Sequence, residues 1–238
     1  MKFVGVDGCS EGWFAVLILN EQDWSFGIFS DIKSLWEKNQ DSSLILIDIP
    51  IGLPFSKNRL CDIEARRILK KRGSSVFPAP AREAIHARNY EEACQINQKI
   101  LGKKISLQTW HISHKIWEVD DLLILDGKVR NCLRESHPEV CFWALAGGQA
   151  MSYSKKASRG ISERLAVLSK LFPNSEEIFR SASSEFKRSD LAKDDILDAI
   201  ALAITASSLP ETLKTLPEFP DRDREHLPIE IVYSNRYL

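Results

Sequence analysis

The stretch Lys2–Leu19 reads KFVGVDGCSEGWFAVLIL. Small and β-branched residues run into Asp7, the chain turns through Gly8, Cys9, Ser10, Glu11 and Gly12, and a second apolar strand leaves from Trp13. This pattern predicts a β-hairpin with one carboxylate at its mouth. A carboxylate closing an apolar strand is costly to bury unless a cation or hydrogen-bond donors meet it, so Asp7 is either a turn cap or a metal ligand. The same arrangement returns further along the chain, which favours the second reading.

Outward from the hairpin, DWSFGIFS (Asp23–Ser30) alternates as a third strand. Asp31 is placed to cap a short helix through Lys38, with Ile32, Leu35 and Trp36 inward. SLILIDIPIGLP (Ser43–Pro54) reads as a strand buried on both faces, as in the parallel part of a sheet, and it delivers Asp48 to its end. KVRNCLRE (Lys128–Glu135) reads as a strand ending in Glu135, and SHPEV then opens a helix with Pro138 early in it. Between these strands Asn58–Arg72, Tyr90–Leu101 and Leu107–Leu125 have helical patterns, and Ser74–Arg82 (SSVFPAPAR) is a proline-punctuated loop. A helical insertion over about residues 58–126, between the fourth and fifth strands, is expected. Downstream, a basic connector (Ser154–Arg164) leads into a helix carrying Ile161, Leu165 and Leu168, and Glu176–Ala182 forms a short helix. KDDILDAIALAITASSLP (Lys193–Pro210) is a helix apolar enough to be buried on most sides, serving either the core or a homodimer. Leu216–Glu225 reads as a proline- and charge-rich tail, and Ile229–Tyr233 as a last edge strand.

This element order, βββαβ…βα, fits an α/β fold of the RNase H-like kind: one domain over residues 1–238, with a mixed sheet flanked by helices. The C-terminal ends of neighbouring parallel strands face one crevice, so Asp7, Asp48 and Glu135 are expected to share it. On the last long helix Asp195 and Asp198 are spaced i, i+3 and Asp194 and Asp198 i, i+4, and converge from the opposite wall. Asp194 and Asp195 also suit a helix N-terminus, whereas Asp198 lies in the second turn of a buried helix. Buried carboxylates in such number repel one another unless a divalent cation neutralises them. Hard oxygen ligands suit Mg²⁺ or Mn²⁺, and two ions about 4 Å apart activate water and stabilise the leaving oxygen in phosphodiester cleavage.

The motifs VGVDGCSEGW, IDIPIGLP, VFPAPAR, ESHPE and DDILDA, spread from residue 4 to residue 199, resemble the family of unknown function DUF429, whose members are regarded as RNase H-like nucleases. The resemblance covers nearly the whole chain. It implies a ribonuclease H-like fold with a metal-dependent nuclease site, and the positions matching the acidic motifs are Asp7, Asp48, Glu135, Asp195 and Asp198. The D-x-x-D-A helix is similar to that of Holliday-junction resolvases of the same superfamily. The helical insertion has no counterpart in simple ribonuclease H domains.

Composition limits how a nucleic-acid partner is held. The formal net charge of -1 supplies no global positive field, so phosphates must be met locally. Arg82 and Lys156, in loops controlled by proline or glycine, are the favoured contacts, followed by Arg72 and Lys115; Lys103, Lys104, Lys155, Arg159 and Arg164 complete the candidates. Five cysteines without a C-x-x-C pair argue against a disulfide framework or zinc site and for reduced thiols in a cytoplasmic protein. No secretory leader or membrane-spanning run is read. His111 and His114 fall among packed or surface positions, His137 is held in reserve beside the acids, and Cys9 has no base near it in sequence. Three readings compete: a Mg²⁺- or Mn²⁺-dependent nuclease, an actin-like phosphotransferase or ATPase, and a non-catalytic nucleic-acid-binding module. Against the second, no further D-x-G hairpin opens the later half; against the third, the strand-end acids are retained.

Overall fold

Period-two alternation along the strands divides the interior into two apolar layers, one on each face of a mixed sheet. The computed structural model describes all 238 residues. Strands β1 (Phe3–Cys9), β2 (Gly12–Ile18) and β3 (Trp24–Phe29) form an antiparallel meander, and β4 (Leu44–Ile47) and β5 (Leu133–Glu135) continue the sheet parallel to β1, in the order β3-β2-β1-β4-β5. Helix α1 (Ile32–Asn39) crosses from the meander to β4, its first turn capped by the Asp31 carboxylate, which accepts from Ser34 N at 2.8 Å. Helices α2 (Leu60–Leu69), α3 (Arg82–Ile85), α4 (Tyr90–Leu101), α5 (Leu107–His111) and α6 (Ser113–Leu125) lie between β4 and β5. After β5 come α7 (Pro138–Leu145), α8 (Ser158–Leu171), α9 (Ser175–Glu185) and α10 (Lys193–Ala206), then a hairpin of β6 (Leu213–Arg222) and β7 (Pro228–Ser234).

Phe14, Val16, Leu44 and Leu46 face the layer built by α7 to α10. Val4, Val6, Ala15, Ile45, Ile47 and Leu133 face the opposite layer, where α1 and α6 contribute Leu35, Trp36, Ile116 and Val119. Every residue of α10 from Ile196 to Ala206 is buried, so this helix is core. No helix is long and apolar enough to cross a membrane.

Three local expectations are corrected. The pattern over Leu107–Leu125 is two helices, broken at Ile112, where the Ser113 hydroxyl bonds Thr109 O and Ser106 caps the first piece. Lys128–Asn131 is a turn rather than strand, since Asp126 Oδ1 accepts from Lys128 N and only Leu133–Glu135 joins the sheet. The proline-rich tail is strand β6, whose ladder with β7 is interrupted between Leu216 and Asp221, where Pro217 and Pro220 need no ladder partner. Strand β7 pairs in this hairpin and reaches the main sheet through one bridge, Ser136 to Val232.

Candidate metal centre

The alternation that builds the layers also aims the acids. Asp7 follows Phe3 and Gly5 on the β1 face toward α10, and Asp48 follows Leu44 and Leu46 on the same face beyond β4. The parallel ladder ends with Val6 beside Ile47, and Asp48 N donates to Val6 O at 3.0 Å, so the two carboxylates leave the sheet side by side. Helix α10 approaches β1 so closely that a Cβ on Gly5 would lie 2.1 Å from Ala203 N and 2.2 Å from Ala199 O. Asp195 is one turn before Ala199 and Asp198 is its neighbour, and that contact brings both over the end of β1 at Asp7.

Lys155, from the loop before α8, enters this cluster. Its Nζ lies 2.7 Å from Asp198 Oδ2 and 3.7 Å from Asp194 Oδ2. The loop is seated by Gly160, where a Cβ would lie 1.9 Å from Ser154 O. Asp198 leads the carboxylates that hold the Lys155 ammonium charged far above its ordinary range, ahead of Asp7 and Asp48. One ammonium does not neutralise the cluster. Burial, then Asp48, Asp195 and Asp198, push the Asp7 carboxyl well above its ordinary value. Burial likewise raises Asp48 and Asp198, and burial and Asp194 raise Asp195 to about 6. Asp7 Oδ1 has one donor, Gly8 N at 2.8 Å, and Asp195 Oδ2 accepts from Ala192 N at 3.1 Å. The second oxygen of Asp198, on a residue 1% exposed, has no partner at all. The donors are all oxygen, the class that suits a hard divalent cation, but no three of these carboxylates have oxygens within 4.8 Å of one another, so they would have to draw together around one.

Asp7, Asp48, Lys155 and Asp198 line a cavity of about 610 Å³, large enough for a nucleotide-sized ligand, and Asp194 and Asp195 lie outside its lining. A family model described as protein of unknown function (DUF429) matches residues 5–222. The chain belongs to the DUF429 family. No curated protein and no solved structure matches it. The match spans β1 to β6 and so contains Asp7, Asp48, Lys155, Asp195 and Asp198.

In this DUF429 chain Glu135 lines the same cavity as Asp7, Asp48 and Asp198, but it comes off the other face of the sheet. It follows Leu133 at the next same-face position of β5 and pairs with Ile47, and both neighbours face the layer opposite α10. Its carboxylate is taken by Arg59, whose Nη1 donates to Oε2 at 2.7 Å, and by Ile51 N; Arg59 also donates to Asp62 at 2.7 Å. The side-chain ligand atoms of Cys61, Asp62 and Glu135 lie within 4.8 Å of one another. The guanidinium between the two carboxylates serves as their counter-ion, and burial keeps the Cys61 thiol protonated, so this group makes a poor cation site.

The basic candidates also separate. Arg82 lies outside the cavity, fixed by Asp120 at 2.8 Å and by Asp223, tying α3 and α6 to the C-terminal hairpin. Arg72, Lys115 and exposed Lys156 do line the cavity. Lys115 Nζ sits over the Trp13 ring at 4.6 Å and donates to Gly12 O; burial lowers its pKa from the ordinary lysine value. His137 lines the cavity and its Nδ1 accepts from Glu139 N at 3.2 Å, while His111 and His114 are exposed on α5 and α6. Lys155, rather than the favoured Lys156, is the lysine of this loop that enters the acid cluster.

Proposed function

We propose that this chain is a divalent-cation-dependent nuclease that hydrolyses phosphodiester bonds on an RNase H-like fold. The fold reading is supported by the strand order, by the single antiparallel meander followed by parallel β4 and β5, and by the packing of an acid-bearing helix on the central strand. The observation that carries the function is the meeting of four carboxylates from β1, the end of β4 and α10 around one ammonium, with a buried Asp198 oxygen left unpartnered.

Asp7, Asp48, Asp195 and Asp198 are the residues that hold the cation. Mg²⁺ or Mn²⁺, when bound, supplies Lewis-acid activation of water and neutralises charge developing on the leaving oxygen. Asp7, held by Gly8 N, presents its other oxygen to the cavity. Lys155 offsets part of the repulsion among the carboxylates and is positioned to stabilise negative charge on a phosphate oxygen. Lys115, Lys156 and Arg72 hold the flanking phosphates, which places a positive rim on an acidic floor despite the net charge of -1. Glu135 and Arg82 act as structural ions.

The test is Mn²⁺-dependent cleavage of single-stranded, duplex, hybrid and branched nucleic acids by wild type and Asp7→Asn side by side. Cleavage by wild type alone supports the reading and names the substrate class. Cleavage by neither, or equally by both, overturns it.

A further inference from the structure

We infer that Phe77, in the proline-punctuated loop between α2 and α3, is the platform on which an unpaired nucleobase of the substrate stacks, so that the protein acts on single-stranded or extruded nucleotides. The inference rests on the nuclease reading above and deepens it by naming the substrate class.

The loop that carries Phe77 is fixed on both sides of it. Arg66 Nη1 donates to Val76 O at 2.7 Å, Ala79 N donates to the Asp62 carboxylate at 3.0 Å, and Ala81 N donates to Asn97 Oδ1 on α4 at 2.8 Å. Pro78 and Pro80 remove backbone freedom between these anchors. Val76 and Ala79 are buried, yet Phe77 between them is 42% exposed and lines the cavity that holds Asp7, Asp48 and Asp198.

A single exposed apolar side chain is ordinary. Phe77 differs in where it stands and in what it lacks. Phe55, Trp117 and Tyr153 are also exposed, and each has a partner at its ring: Arg224 at 4.8 Å, His86 at 5.0 Å and Arg159 at 5.9 Å. Phe77 has neither a ring nor a cation against it, and it is the exposed aromatic of the cavity lining. A ring held in place by the loop and left without a neighbour can take an aromatic ligand at little ordering cost.

The rest of the lining says which aromatic ligand. Arg72 and Lys156 bring positive charge, Val76 and Ile112 bring apolar surface, and exposed Gln108 brings an amide that both donates and accepts. A nucleotide has the matching parts: an anionic phosphate, a flat base with a π-face, and a base edge that donates and accepts. In a duplex both faces of a base are covered by its neighbours and its pairing edge by the other strand. A side chain can therefore take a face only of a base that is unpaired or turned out of the stack.

The experiment is fluorescence anisotropy of labelled oligonucleotides with the full chain, in Ca²⁺ in place of Mn²⁺ to hold back cleavage. The probes are a single strand of DNA and one of RNA, the same strands with abasic sites, and the duplexes; the proteins are wild type, Phe77→Ala, Phe77→Leu and Phe77→Trp. Wild type is expected to bind the single strand about tenfold more tightly than Phe77→Ala or Phe77→Leu, with Phe77→Trp restoring the affinity. The abasic strand is expected to bind all four alike, and the duplex more weakly than the single strand. Phe77→Leu keeps the apolar bulk without the ring and decides the matter if Phe77→Ala does not fold. Equal affinity for the single strand in wild type and a folded variant, or an equal loss on the abasic strand, would overturn the stacking role and leave the nuclease reading standing. A duplex bound as tightly as the single strand would overturn the unpaired substrate class. No binding of any probe by wild type would overturn both the platform and the nuclease reading.

Discussion

Asp195→Asn separates a cation site from a merely acidic helix start. Burial, then Asp194, moves the Asp195 carboxyl from 3.8 to about 6 in the folded chain. At about 1.4 kcal/mol per pH unit this burdens the ionised folded state by roughly 3 kcal/mol, and solvent reaching this partly exposed residue reduces it to about 1–2 kcal/mol. Because the folded value lies above the unfolded one, the folded state binds more protons between about pH 4 and 6. Stability is therefore lost as pH rises through that window, and the penalty is complete above it. Asn removes the charge and keeps an oxygen for Ala192 N. Without metal at pH 7.5 the variant is expected to melt about 2–8 °C higher than wild type, and at pH 4 at nearly the same temperature. Saturating Mn²⁺ reverses the order, since ligand at a hundredfold excess over its dissociation constant adds about 2.7 kcal/mol to the chain that retains its site. Scanning calorimetry at both pH values, with and without Mn²⁺, makes the test. An advantage that does not change with pH, or a variant less stable than wild type in chelator at pH 7.5, would refute the electrostatic argument.

Lys155→Met leaves Asp198 buried without its counter-ion, and a loss of about 2–4 kcal/mol in metal-free urea unfolding, largely recovered on adding Mn²⁺, is expected. Gly5→Ala forces a methyl group into the backbone of α10 and should cost at least about 3 kcal/mol and weaken Mn²⁺ binding, because the helix carrying Asp195 and Asp198 must move; calorimetric titration of the folded fraction reads this. Arg59→Met strands Glu135 and Asp62 and should cost about 3–5 kcal/mol in urea unfolding while leaving Mn²⁺ affinity unchanged; a large loss of affinity would place Glu135 back among the ligands.

The strands and the long buried helix were legible because their patterns are local. Tyr90–Leu101 carries its own cap in Asn89 and its own stop in Gly102, and the meander carries its alternation. Helices α2 to α6 lie between β4 and β5. The misread stretches are those that depend on distant partners. β6 is a strand only because β7 returns beside it, and its prolines sit where the ladder is interrupted. For the acids, Asp7 and Asp48 could be paired from strand-end position, but so could Glu135, and parity separates them. Glu135 shares a face with Leu133, and whether Leu133 faces α10 or α6 is set by register against Ile45 and Ile47, which β5 alone, three residues long, does not specify.

Buried acids are not rare in this chain, so burial alone does not single out the cation site. The distinguishing quantity is donor supply. Arg59 stands between Asp62 and Glu135, and Arg82 between Asp120 and Asp223, and a guanidinium with five N–H donors in a planar fork can serve two carboxylates at once. Backbone amides assist in both knots, with Ile51 N and Ala79 N in the first and Leu53 N in the second. No carboxylate oxygen in either knot is left buried without a partner. The cluster at the ends of β1 and β4 has a lysine instead, which donates to Asp198 at 2.7 Å and pairs with Asp194 at 3.7 Å, and it leaves Asp198 Oδ1 unmet. A chain that elsewhere neutralises buried acids with arginine uses at this point a side chain too small to satisfy them, on a loop and 35% exposed, facing the cavity. That shortfall of donors, rather than the number of acids, is what a divalent cation would make good, and it is why Asp7, Asp48, Asp195 and Asp198 are read as ligands while Glu135, Asp62, Asp120 and Asp223 are not.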